Sequence, residues 1–177
     1  MKKLYDYTEG KDLPEKPFLD DDCYGKSILV NVNPCTDCLI INKERQTAFF
    51  PVRIAKTGEG FWFIGGVWKA RLSARENMAG VFERETSLKI SPEKFQRVPF
   101  ADEDGLAPRT LWPTGRNDMH FFFSIELNDE EIQQVAQNLD AKEYDTKAGL
   151  QEFSYEDLKS AGVRDIVLDC FRLAVEK

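Results

Sequence analysis

The run Phe61-Trp62-Phe63-Ile64-Gly65-Gly66 constrains this 177-residue chain more than any other stretch. Aromatic and β-branched residues favour an extended strand, and the double glycine marks a place where backbone approaches something closely or turns. Shortly afterwards Ser73 and Glu76 form an S-x-x-E capping box, in which each side chain satisfies the other's orphan backbone N–H. Ala74, Met78, Val81 and Phe82 then recur at helical spacing, and Pro92 prevents continuation. The segment is therefore strand, short loop, capped helix. Gly80 inside that helix costs about 1 kcal/mol against Ala, which suggests close packing or a relic of something else.

Around this centre the pattern alternates between strands and helices. Strand-like runs cover 27–32, 37–41 and 47–54, and the polar turn Asn42-Lys43-Glu44-Arg45-Gln46 predicts a hairpin between the second and third. Further strands are expected over 61–64, 95–100, 120–127 and 150–155, with helices over 129–139, capped by Asn128, and over 163–175. A long loop over 101–119 carries Arg109, Trp112 and Arg116, and loops of that length inside a domain are commonly functional. A mixed sheet of about six strands flanked by helices places the chain in the α/β class. Residues 1–26 hold Pro14, Pro17 and Asp20-Asp21-Asp22, and read as an irregular arm ahead of one domain over 27–177.

Charge and composition narrow the partners. With 31 acidic against 24 basic residues the formal charge is −7, so polymeric nucleic acid is not an expected ligand. No apolar run reaches the roughly 20 residues that span a bilayer. Met1-Lys2-Lys3 leads into polar sequence and not a signal peptide, so no membrane partner and a cytoplasmic location are expected. Cys35-Thr36-Asp37-Cys38 has CxxC spacing but runs into the strand-like Leu39-Ile40-Ile41, whereas a redox CxxC opens a helix. A zinc site would need a second pair of ligands, for which only Cys23, Cys170 and the lone His120 remain, so buried thiols are the simpler expectation.

The double-glycine strand end and the capped helix resemble the Nudix superfamily. There a glycine pair leads into a box G-x5-E-x7-R-E-U-x-E-E-x-G-U (U aliphatic), a loop–helix–loop that holds Mg²⁺ over a pyrophosphate. The resemblance runs from about residue 27 to 175, and Gln151-Glu152-Phe153-Ser154-Tyr155-Glu156-Asp157-Leu158 resembles the family's closing strand and E-E-L-like turn. It implies a Nudix-like α/β/α sandwich, Mg²⁺ or Mn²⁺ as cofactor if the protein is active, a small nucleotide-type metabolite as ligand, and the option of a homodimer.

Started at Gly66 without gaps, the box sets Leu72 at the first Glu, Gly80 at the Arg and Val81 at the Glu after it. Arg84 and Glu85 take the Glu-Glu pair, Ser87 the Gly and Leu88 the last aliphatic position. The alternative that reads Glu76-x7-Arg84-Glu85 as E-x7-R-E leaves Gly65-Gly66 without a role. In the gapless register the degenerate box at 66–88 keeps one carboxylate, Glu85, as a weak metal ligand and catalytic candidate. A cation replaces its neighbour, and at about 4 Å two unit charges interact by roughly 4 kcal/mol near a protein surface.

The resemblance also implies a role for Arg53, which follows the strand Phe49-Phe50-Pro51-Val52 where the family places a basic residue near phosphates. Arg84 is a candidate phosphate contact, Trp62 and Trp112 are candidates to stack on a base, and Gly65 and Gly66 shape the pocket. Glu143 is a candidate metal-binding or general-base carboxylate, with Asp145 beside it. Three functions follow: a binder or sensor of nucleoside diphosphate-linked metabolites with little hydrolysis, an active atypical pyrophosphohydrolase, or an interaction scaffold with a filled pocket.

Overall fold

The computed structural model describes residues 32–54, 60–99, 103–104 and 118–175. The expected arm over 1–26, nearly all of the expected strand over 27–32, and Arg109, Trp112 and Arg116 lie outside the described residues.

The first strand, β1 (Asn33–Asn42), lies at the centre of the sheet. Its residues from Cys35 to Ile41 are all buried, so both faces must be covered, as in a sheet with helices on each side. The polar turn after it closes the expected hairpin to β2 (Thr47–Arg53), with Ile40 opposite Phe49. Strands β3 (Gly60–Phe61), β4 (Ile64–Val67), β5 (Gln96–Arg97), β6 (Glu103–Asp104), β7 (Asp118–Glu126) and β8 (Leu150–Phe153) complete the described sheet. The order β3-β2-β1-β7-β5 forms its path, while β4 pairs with β1, β6 with β7 and β8 with β2. The β1–β7 pairing is parallel, from Asn33 opposite Asp118 to Ile41 opposite Glu126, and the other pairings are antiparallel.

Alternation along β1 divides the core. Cys38 and Ile40 face α1 (Ala74–Thr86), packing with Met78, Val81, Phe82 and with Val135 of α2 (Asp129–Gln137). Leu39 and Ile41 face the opposite layer, where α4 (Asp165–Val175) contributes Ile166, Val167, Cys170 and Phe171, and α3 (Tyr155–Ser160) contributes Leu158. The result is an α/β/α sandwich with a mixed sheet. Among the described residues no helix is long and apolar enough to cross a membrane.

Several local expectations are corrected. The aromatic run is two strands, broken at Trp62-Phe63, and the glycines lie inside β4 instead of closing it. Only Gln96 and Arg97 of the 95–100 run are in a described strand, the described residues form eight strands where about six are expected, and β8 stops at Phe153 because Ser154 caps α3 with its own capping box. The last helix starts at Asp165, two residues later than expected. Gly80 is exposed, and a Cβ there would meet nothing within 4 Å, so close packing does not account for it. Cys35 and Cys38 are buried cysteines in one strand, three residues apart and so on opposite faces.

The Ser73–Glu76 capping box is present in full, and α1 ends at Ser87 in the left-handed region with φ 55° and ψ 12°, its N–H donating to the Glu83 carbonyl. This is the position at which the gapless register expects Gly, and its backbone has the conformation that favours Gly. Ser87→Gly is therefore expected to raise stability by about 0.5–1 kcal/mol. Equilibrium urea unfolding checks this, and a neutral or destabilising result would contradict the left-handed cap.

Candidate functional site

The two glycines of β4 face opposite ways. Gly65 lies opposite Asp37 of β1, and a Cβ on it would fall 2.0 Å from Asp37 Oδ1 and 2.9 Å from the Thr36 carbonyl oxygen. The buried Asp37 carboxylate accounts for the absence of a side chain there; its Oδ2 lies 2.7 Å from Nδ1 of buried His120. Gly66 faces α1 instead. A Cβ on it would lie 3.0 Å from Arg84 Nη2 and 3.5 Å from Val81 Cγ2. The glycine of the box start thus meets the residues that the gapless register assigns to the family's carboxylate positions.

The loop between β4 and α1 is pinned from three sides. Trp68 N–H donates to the Pro34 carbonyl at 2.7 Å, and Trp68 Nε1–H donates to the Leu72 carbonyl at 2.8 Å. Asn77, buried in the first turns of α1, accepts from Lys69 N–H and donates to Thr36 Oγ1 at 2.8 Å. Leu72, at the position of the first box Glu, remains 39% exposed.

Val81 is fully buried, and Arg84 leaves 49% of its side chain exposed while its Nη2 donates to Glu85 Oε1 at 2.6 Å. Glu85 itself is only 2% exposed. Its other oxygen, Oε2, accepts from the hydroxyl of Tyr144, a fully buried residue, and its main-chain carbonyl accepts from Asp140 N–H. The backbone of Tyr144 pairs antiparallel with that of Arg53 at the end of β2, and Arg53 Nη2 donates to Glu143 Oε2 at 3.2 Å. Ile54 N–H to the Glu143 carbonyl and Asp145 N–H to the Val52 carbonyl fasten this loop to β2.

Arg53, Gly66, Arg84, Glu85 and Glu143 therefore meet in one place, where the end of α1, β4 and the loop over 140–145 converge. Trp62 and Gly65 do not join them. Trp62 packs with the α4 layer, edge-on to Phe63 and His120, with the Arg164 guanidinium 4.8 Å above its ring. Asp145 turns its carboxylate to Lys147 N–H and Ala148 N–H. Trp112 lies outside the described residues. Tyr144 is the member of the constellation that sequence reading missed.

Burial is the first cause acting on Glu85 and pushes its carboxyl above the ordinary value of 4.5, against the hydrogen bonds from Tyr144 and Arg84 and the charges of Arg84 and Arg53. Tyr144 is raised well above its ordinary value, first by burial and then by the charge and hydrogen bond of Glu85, so it keeps its proton and donates.

These residues do not suit the Mg²⁺ or Mn²⁺ that the resemblance implies. Such hard cations need several oxygen ligands. Leu72 and Val81 offer none, Arg84 is a cation, and both Glu85 oxygens are already engaged. Among the described residues, no three His, Cys, Asp or Glu side chains are grouped to hold a metal ion.

Comparison with solved structures identifies the fold. The dihydroneopterin triphosphate pyrophosphohydrolase of E. coli aligns over 82% of this chain and 99% of its own, with TM-score 0.56 and 8% identity. A NUDIX hydrolase from Nitrosomonas europaea aligns over 81% and 88%, with TM-score 0.55 and 11% identity. A MutT NUDIX hydrolase from Burkholderia pseudomallei aligns over 72% and 87%, with TM-score 0.54 and 10% identity. The chain has the Nudix hydrolase fold. No protein-family model and no curated protein matches the sequence.

Two outcomes follow from this geometry. Gly65→Ala drives a methyl into Asp37 and the β1 backbone and is expected to cost at least about 2–3 kcal/mol, whereas Gly66→Ala meets only the half-exposed end of Arg84, which needs to give by a few tenths of an ångström, and costs under about 1 kcal/mol. Thermal unfolding of both variants checks the contrast. For Glu85, a folded pKa above the unfolded one means that the native state binds the proton more tightly. That contribution is fully present below about pH 4.5 and is lost as pH rises through the raised pKa. The stability of the wild type relative to Glu85→Gln should therefore fall from pH 4.5 upward and then level off. A flat difference would show that Arg84 and Tyr144 offset burial completely.

Proposed function

We propose that this chain is a Nudix-superfamily pseudoenzyme, a binder or sensor of a nucleoside diphosphate-linked metabolite with little or no metal-dependent hydrolysis. The fold supports the ligand class, and the carrying observation is the state of Glu85. The one carboxylate at a position where the box pattern asks for one is buried, with one oxygen held by Arg84 and the other by Tyr144. A metal ion taking that carboxylate would have to displace a guanidinium and a phenol hydroxyl together. Hydrolysis through Glu143 would further require that residue to leave Arg53.

The test is nucleotide release from nucleoside diphosphate sugars, ADP-ribose, dinucleotides and triphosphates, with Mg²⁺ and with Mn²⁺, beside Glu85→Gln. The expected outcome is no turnover above the Glu85→Gln background, while at least one compound raises the melting temperature. At about a hundredfold excess over Kd a ligand adds about 2.7 kcal/mol to native stability, equivalent to several degrees for a chain of this size. Turnover that vanishes in Glu85→Gln would establish an atypical hydrolase instead. Neither turnover nor a thermal shift across the panel would leave the scaffold reading.

A further inference from the structure

The mismatch between the box and a divalent metal has a chemical counterpart in Arg84. We propose that the Arg84 guanidinium takes the place of a divalent cation, so that a diphosphate group is held at this site by arginine donors without metal. This rests on the binding reading above and specifies its chemistry.

A guanidinium carries a permanent positive charge and five N–H donors in one plane, a geometry that matches two phosphate oxygens at once. Arg84 spends Nη2 on Glu85, and the side chain is half exposed, so donors remain for an incoming anion. The guanidinium is also oriented. Glu85 is held on its far oxygen by Tyr144, which fixes the carboxylate that fixes Arg84. Gly66 contributes by absence: with no side chain on β4, Nη2 lies 3.0 Å from where a Cβ would be, against the strand. The glycine that opens the box thus leaves room for a cation belonging to the protein itself.

A second arginine stands in the same network. Arg53 contributes to the electrostatics of Glu85, gives Nη2 to Glu143, and has a buried Nε–H with no acceptor among the described residues. The Glu143 side chain is 35% exposed, so an anion arriving from solvent competes with that carboxylate for Arg53. One phosphate on Arg84 and a second displacing Glu143 account for both phosphates of a diphosphate. Added Mg²⁺ contributes nothing to such a complex, and it sequesters the anion in solution.

Calorimetric titration of the full chain with inorganic pyrophosphate, in EDTA and in excess Mg²⁺, tests this. Binding is expected in EDTA, unchanged or weaker in Mg²⁺. Arg84→Gln should weaken it about tenfold to a hundredfold, the loss of a charge-assisted hydrogen bond, and Arg84→Lys by less. Arg97→Gln, an exposed arginine over Phe121 and outside the site, should bind as the wild type does, and a cooperative thermal transition above the titration temperature would show that each variant is folded. Binding that requires Mg²⁺, no pyrophosphate binding in either buffer, or wild-type affinity in Arg84→Gln would each overturn the proposal. If nucleotides from the panel still bind but only with Mg²⁺, the binder reading survives and this one fails. If neither they nor pyrophosphate bind, both fail.

Discussion

Seven consecutive buried residues in β1, from Cys35 to Ile41, impose the condition on which the rest of the sandwich depends. A strand with no exposed side needs a helix layer on each face, and alternation sends Cys38 and Ile40 to α1 and Leu39 and Ile41 to α4. Asp37 belongs to the α4 side of this alternation, where its carboxylate is buried against His120 of the parallel neighbour β7. The antiparallel neighbour β4 must then present glycine opposite Asp37, since any Cβ would collide with the carboxylate. The next residue points the other way, toward α1, and there the second glycine meets Val81 and Arg84. One dipeptide thus satisfies packing on both faces of the sheet.

The same logic of burial governs Glu85. A carboxylate taken out of water is costly unless it is paired and hydrogen-bonded, and here the compensation is one cation and one phenol. The compensation also organises the chain around it. Asp140 N–H binds the Glu85 carbonyl, Tyr144 binds its side chain, and the backbone on either side of Tyr144 hydrogen-bonds to β2, so α1, β2 and the loop ahead of β8 are joined at this residue. A group used in this way as a structural joint is poorly suited to exchange partners with a hydrated metal ion.

What the sequence made legible was whatever is encoded locally. The capping boxes at Ser73 and Asn128, the hairpin turn after Asn42 and the apolar face of α4 depend on residues within one or two turns of each other. The gathering of Arg53, Gly66, Arg84, Glu85 and Glu143 could be anticipated only through the family resemblance. Tyr144 was not legible, although it stands beside Glu143, because its segment has no periodicity and its partner Glu85 is 59 positions away. Trp62, a candidate to stack on a base, sits at the break between β3 and β4, which turns it to the α4 layer and under Arg164. Nothing in the local pattern announces such a break, since Phe61-Trp62-Phe63-Ile64 has strand propensity throughout.

On the gapless register, the residues of the β4–α1 segment fall into two groups. The glycine pair, the helix cap and the left-handed end of α1 are all in place, with Ser87 holding a glycine-like conformation without being glycine. These features position the helix against the sheet. The replaced positions are those where the family pattern stacks carboxylates on one helix face. Such a stack is self-repelling, and only a bound cation makes it tolerable. In this chain Val81 turns one such position into core, and Arg84 turns another into an internal counter-ion for Glu85. The charge of Glu85 is thus balanced within the protein, by a side chain of the same helix.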